Sequence, residues 1–181
     1  MKNMEINTKR LLLRHITLSD AEDAFYGWAN DERVTRYLTW KPHKDVESLK
    51  KIIHIWLEDY KNGFNFRWCI VLKQTGKTIG MIDVVQDAPK TKTAGLGYCI
   101  GYDYWGKGIV AEALIAVRDY LFDEAGYNRV EAAHHINNLA SGKVMQKAGM
   151  QYEGAKRQSD IDNEGNPCDM VCYAMLKSDK R

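Results

Sequence analysis

Two stretches carry residue types at spacings suited to chemistry. The first runs Tyr98-Cys99-Ile100-Gly101-Tyr102-Asp103-Tyr104-Trp105-Gly106-Lys107-Gly108-Ile109-Val110-Ala111-Glu112-Ala113. It reads as a strand, a glycine-bearing loop and a helix start. The first N–H groups of a helix lack intrahelical partners and carry the positive end of the helix dipole. Glycines let an anion approach that backbone, so the stretch is suited to cradling phosphate, with Lys107 as an added positive charge. Gly-x-Gly alone leaves several meanings open. A P-loop fails, because Ile109 follows Gly108 where Lys and then Ser/Thr are needed. A dinucleotide fingerprint is met by Gly106, Gly108 and Ala111, but Asp103-Tyr104-Trp105 separates these glycines from the strand, and Glu131 lies inside the next strand rather than at its end. A tight turn with no ligand is the plainest alternative.

The second stretch is Asn137-Asn138-Leu139-Ala140-Ser141-Gly142-Lys143-Val144-Met145-Gln146-Lys147-Ala148-Gly149-Met150. Asn138 is suited to cap a helix, with Ser141 in its first turn. Taken alone, both residues read as capping. No metal site is expected: Cys168 and Cys172 are spaced C-x3-C and His134-His135 are adjacent, neither being a usual zinc spacing. Cys99 reads as an inert core thiol in a strand without a base partner.

The elements that must position these residues follow from periodicity. Residues 10–16 read as a strand, and a helix begins at Thr17–Asp20 and runs past Trp28. Leu49, Ile52, Ile53, Trp56 and Tyr60 define a helix over 45–62, stopped by Gly63. Residues 66–73, 78–85 and 94–102 read as strands, the first two joined by a turn at Gln74–Lys77. A helix over 107–125, a strand over 128–135 and a helix over 138–148 come next. Two last strands, 150–158 and 168–177, flank the turn at Asp162–Pro167. The order β-α-α-β-β-β-α-β-α-β-β predicts a mixed α/β fold, mostly antiparallel, with one β-α-β crossover.

The composition fits a single globular domain over 1–181. The chain has 181 residues, 45% of them hydrophobic, and a net charge of +2. That balance is not the basic excess of a nucleic-acid binder. No apolar run reaches the roughly 18–20 residues that cross a bilayer, and the polar N-terminus lacks a signal-peptide core. No membrane role, a cytoplasmic location and four free cysteines are therefore expected.

Together the two stretches resemble the GNAT superfamily of acetyl-CoA-dependent N-acetyltransferases, most closely its RimJ/RimL-like branch of ribosomal-protein N-terminal acetyltransferases. Tyr104-Trp105-Gly106-Lys107-Gly108 followed by a small residue, Glu112 and Ala113 is similar to that branch's strand-loop-helix. Asn138-x-x-Ser141 with Lys147-Ala148-Gly149-Met150 is similar to its second motif. The element order, from Arg10-Leu11-Leu12-Leu13-Arg14 to a closing hairpin with Gly154, Arg157 and Asp169, agrees with the whole chain. The resemblance implies a GNAT-type α/β (α+β) fold with helices on both faces of the sheet, and transfer of an acetyl group from acetyl-CoA to a primary amine in a ternary complex. It implies that backbone N–H groups from Trp105 through Gly106, Lys107, Gly108, Ile109 and Val110 bind the pyrophosphate. Tyr98, Cys99 and Ile100 would pair with the pantetheine arm and supply oxyanion donors. Asn138 would bond that arm and Ser141 would protonate the departing thiolate. Lys143 or Lys147 would meet phosphate, or else belong to a solvated helix face. Homodimers are common in this branch.

Two positions depart from the pattern. Asp103 stands where relatives often carry Gln or Arg. Gly95 stands where many carry a basic glutamate, so the general base is unassigned among Asp83, Glu131, His135 and Asp160, each of which also has a plain structural reading. A site without a strong base suits a protein N-terminus. At pH 7.5 deprotonating an α-amine costs below about 1 kcal/mol, against roughly 4 kcal/mol for lysine. A small-molecule amine, such as a polyamine, antibiotic or amino-acid derivative, is the alternative acceptor. A nucleotide-dependent oxidoreductase and a CoA-binding sensor without turnover are more distant alternatives. Tyr37, Trp40 and Phe64 are candidates to shape the acceptor pocket, or else pack in the core.

Overall fold

The computed structural model describes residues 4–180. Among them, eight strands form one sheet: β1 (Ile6–Asn7), β2 (Leu11–Arg14), β3 (Arg67–Leu72), β4 (Lys77–Ala88), β5 (Thr93–Ile100), β6 (Arg129–His135), β7 (Gln151–Ile161) and β8 (Pro167–Leu176). The spatial order is β1-β2-β3-β4-β5-β6-β8-β7. Every neighbouring pair is antiparallel except β5 and β6, which are parallel. That pair is the expected crossover, through helix α4 (Ile109–Asp123).

Local chemistry sets the helices. In α3 (Val46–Lys61), Asp45 accepts the Ser48 N–H at 2.6 Å as a cap. Leu49, Ile53 and Tyr60 form its buried stripe. Helix α5 (Leu139–Lys147) is capped by Asn138, whose side chain accepts the Ser141 N–H at 3.3 Å. The helix expected from Thr17 past Trp28 is instead composite. A 3-10 turn at Leu18–Asp20 leads into α1 (Ala21–Ala24), which widens into a π-turn at Phe25–Ala29. The two-residue β1, α2 (Glu32–Thr35) and the 3-10 turns at Tyr102–Tyr104 and Lys177–Asp179 escaped the sequence, each too short to show a period.

The sheet is covered on both faces. Trp68, Ile82, Leu114, Leu121 and Phe122 belong to the core under α4. Ile16, Trp28, Leu49, Ile53 and Cys69 belong to the core under α1 and α3. Each such side chain, fully buried, contributes roughly 1.5–3 kcal/mol of transfer free energy.

The feature that makes a site is where β5 and β6 part. Their pairing runs only from Thr93↔Arg129 to Leu96↔Ala132. Beyond it, β5 stays with β4 as far as Ile100↔Gly80, and β6 stays with β8 as far as His135↔Met170. The result is a V-shaped notch through the sheet, with one edge of each strand left without a ladder partner across it.

Candidate active site

A cleft of about 1120 Å³ runs through this notch. That exceeds the roughly 300–1,000 Å³ of a typical single-ligand pocket. It opens on both faces of the sheet, and the two openings differ in chemistry.

On the α4 side, the turn Trp105–Gly108 feeds the helix. Gly106 and Gly108 have φ of 72° and 71°, a left-handed backbone that glycine adopts without strain. Glu112 is the first residue of α4 whose N–H reaches back to a helix carbonyl, that of Gly108 at 3.2 Å. The amides of Ile109, Val110 and Ala111 therefore stand free at the positive end of α4, on the cleft. The loop is held from behind. Arg10 donates to the Lys107 carbonyl at 3.0 Å and pairs with Glu112 at 2.6 Å, and Glu112 also accepts from Thr8. The Trp105 indole donates to the Ile100 carbonyl at 3.0 Å. The Lys107 ammonium is not in the cleft wall; it lies 5.7 Å over the Tyr104 ring. Lys143 and Lys147 do line the cleft.

Ser141 meets Tyr98 here. Their hydroxyl oxygens are 2.8 Å apart, and the Tyr98 hydroxyl also donates to the Ser141 carbonyl at 3.2 Å. Burial pushes the Tyr98 phenol above its ordinary value, although the Ser141 bond pulls the other way, so the phenol stays a donor at neutral pH. The sequence assigned Tyr98 only a backbone role. Its side-chain partnership depends on a strand and a helix 43 residues apart meeting, which no local signal records.

On the opposite face, Asp83 of β4 and Gly97 of β5 are register partners and share one side of the sheet. Cys99 and Met81 follow on the same side. Burial raises the Asp83 carboxyl above the usual carboxylate range, against the pull of Arg67, which donates to it at 3.2 Å. Arg67 also holds Asp59 at 2.9 Å. Asp83 thus sits mid-strand, not at a strand end. Cys99 is pushed up to about 12 by burial, too high for a thiolate nucleophile. The other base candidates also line the cleft. Glu131 is paired with Arg129 at 2.9 Å. His135 accepts the Asn137 N–H at Nδ1 and lies 5.1 Å from the Tyr37 ring. Asp160 accepts the amide of Ile161.

Tyr37 and Trp40 line this opening as anticipated, and Trp28 and Trp56 join them. Phe64 does not: it packs against the core under α4, and Arg67 stacks 5.3 Å from its ring. The tip of the β7–β8 hairpin reaches across. Asn163 donates to the Thr35 carbonyl at 3.0 Å, and Glu164 pairs with Lys41 at 3.1 Å.

A family profile described as "Acetyltransferase (GNAT) domain" matches residues 10–151. The chain belongs to the GNAT acetyltransferase family. It is 34% identical over 172 residues to the uncharacterized N-acetyltransferase YoaA of Bacillus subtilis, covering 95% of this chain and 96% of YoaA. It is 28% identical over 98 residues to the ribosomal-protein-serine acetyltransferase of Escherichia coli, covering 54% of each. A GNAT-family acetyltransferase structure from Bacillus anthracis superposes with a TM-score of 0.83 at 25% identity, over 97% of this chain and 99% of that one. The microcin C7 self-immunity acetyltransferase MccE, solved with acetyl-CoA and AMP, shares the fold with a TM-score of 0.81 at 22% identity over 93% of both chains. The mixed, mostly antiparallel sheet with helices on both faces is that of GNAT enzymes. The protein is accordingly an acetyl-CoA-dependent N-acetyltransferase. Among the described residues, no helix is long and apolar enough to cross a membrane.

Proposed function

We propose that this N-acetyltransferase acts on the α-amine of a protein N-terminus, with Ser141 as proton donor and Asp83 as proton acceptor. One observation carries the reading: the notch joins two openings, with the Ser141–Tyr98 pair at one and Asp83, beside side-chain-free Gly97, at the other.

The free amides of Ile109, Val110 and Ala111 suit a pyrophosphate, and the unpaired edge of Tyr98, Cys99 and Ile100 suits an extended, amide-bearing arm. Asn138 and Lys143 line the same opening. Amides on that edge stabilise the oxyanion that develops as the amine attacks the thioester. The nucleophile enters from the other face and passes its proton toward Asp83. Ser141 protonates the leaving thiolate, and the Ser141–Tyr98 pair regains that proton from solvent at the open cleft, balancing the one passed to Asp83. The E. coli relative, named for a ribosomal-protein serine, supports a protein acceptor. Asp83 is held by Arg67, so it suits an amine of pKa near 8 better than one near 10.4. The same reading takes residues 1–181 as one acetyltransferase domain.

A peptide with a free N-terminus and an internal lysine tests the acceptor. Mass spectrometry after reaction with acetyl-CoA is expected to place the acetyl group on the α-nitrogen; exclusive lysine modification refutes the assignment. Replacing Ser141 with Ala is expected to lower kcat about 100-fold, the low end for general acids, because a thiolate leaves readily. A loss below about three-fold removes Ser141 from the mechanism.

A further inference from the structure

The walls of the acceptor opening carry information about what the amine is attached to. Trp28 comes from the π-turn, Trp40 from the segment after α2, and Trp56 from α3, with Leu49 and Ile52 between them. Trp28 and Trp40 meet edge to face at 6.5 Å. Three distant segments thus deliver indoles to one side of the cleft, facing Met81 and Cys99 of the sheet.

Over the whole cleft wall the acids Asp83, Glu131, Glu153 and Asp160 stand against the cations Arg33, Arg129, Lys143, Lys147 and Lys156. Asp83 is paired with Arg67, and Glu131 and Glu153 both pair with Arg129. Arg33 pairs with Asp31 and stacks 3.8 Å over the Tyr102 ring. This arrangement holds no acidic surplus for a polyamine or a lysine-rich segment. It holds a large apolar surface, with Asp83 among its carboxylates. Trp28 is 2% exposed and backs the opening from the core, leaving Trp40 and Trp56 as its more accessible indoles.

Resting on the acetyltransferase reading above, we infer that the acceptor is the α-amine of a chain whose first residue is bulky and apolar or aromatic, its side chain seated against Trp40 and Trp56 and its nitrogen directed to Asp83. Burying such a side chain in place of a small polar one favours the transition state by about ten- to a hundred-fold.

The test uses the full chain, acetyl-CoA and four peptides, X-Ala-Ala-Gly-amide with X being Phe, Leu, Ser or Lys, alongside spermidine. Thiol release gives kcat/KM for each. The expected order is Phe and Leu at least about ten-fold above Ser, Lys and spermidine. In Trp40→Ala the Phe-to-Ser ratio is expected to fall toward one. Trp56→Leu serves as a second variant, with thermal melts reporting whether each folds. Preference for Ser, Lys or spermidine overturns the inference while leaving acetyl transfer intact. So does a Phe-to-Ser ratio that survives in both folded variants. Absence of thiol release with every peptide, with release for spermidine alone, overturns this inference and the protein N-terminus reading together.

Discussion

Gly97→Ala separates the acceptor path from the fold. A β-carbon at Gly97 would stand 2.8 Å from Val85 Cγ1 and 3.7 Å from Asp83 Oδ1. Val85 is 66% exposed, so its side chain can turn away. The residual strain is offset by the lower unfolded-state entropy of alanine, leaving a net stability change below about 1 kcal/mol. For a chain of this length that is a Tm shift of less than about 4 °C. Gly80→Ala is the contrast. Its β-carbon would fall 2.3 Å from the Cys99 carbonyl oxygen and 2.9 Å from Ile100 Cα, both backbone atoms that cannot rotate aside. A cost of about 3 kcal/mol and a Tm loss of about 6–12 °C are expected there. The functional effect runs the other way. The Gly97 methyl occupies the space before Asp83, and a displacement of about 1 Å in an attacking group costs on the order of 100-fold in rate. It lies on the face opposite Tyr98 and Ser141, so the calorimetric Kd for acetyl-CoA should stay within about two-fold. Differential scanning calorimetry and thiol release on both variants check the pair. A Gly97→Ala enzyme with kcat/KM within about three-fold of the parent would refute the argument, as would a Tm loss equal to that of Gly80→Ala.

Other outcomes follow from the same geometry. Gly108→Ala places a β-carbon on a backbone with φ of 71°, costing roughly 1 kcal/mol, and should weaken acetyl-CoA binding about ten-fold by calorimetry without a matching fall in kcat. Asp83→Asn should lower kcat/KM by about 100-fold and erase an acidic limb lying above the ordinary carboxylate range; Arg67 keeps Asp59, so a melt should change little. Asp20 governs acid stability. Its burial opposes ionisation, but hydrogen bonds from Arg14, Thr78 and Thr17 outweigh that and lower it from 3.8 to about 2. A depressed carboxylate stabilises the fold above the unfolded value and loses that contribution as pH falls toward the folded one. Urea titrations from pH 5 to pH 2 should therefore lose about 2 kcal/mol that Asp20→Asn does not lose over the same range.

Contiguous features were legible in the sequence. The glycines bounding α4, the Asn138 cap and the strand triplet around Gln74–Lys77 are local signals, and the structure realises them within three residues. The acceptor side was legible only as separate candidates, Tyr37, Trp40 and Asp83 among them, because no short segment contains it. Asp83, Gly97 and Trp56 become neighbours of one opening only through register between strands and the packing of α3. The π-turn that brings in Trp28 inserts an extra residue into a helix, which a 3.6-residue period does not anticipate. Phe64 takes the core alternative of its two readings, because an aromatic beside a strand has the same pattern whether it faces the cleft or the core.

The hairpin tip that reaches Thr35 and Lys41 turns an open trench into an eyelet. A loose end can be threaded through an eyelet, whereas a lysine carried on the smooth surface of a folded partner cannot be brought to its centre. The Lys41–Glu164 fastening is exposed and worth no more than about 1 kcal/mol, so ionic strength loosens it more readily than the buried contacts beneath it.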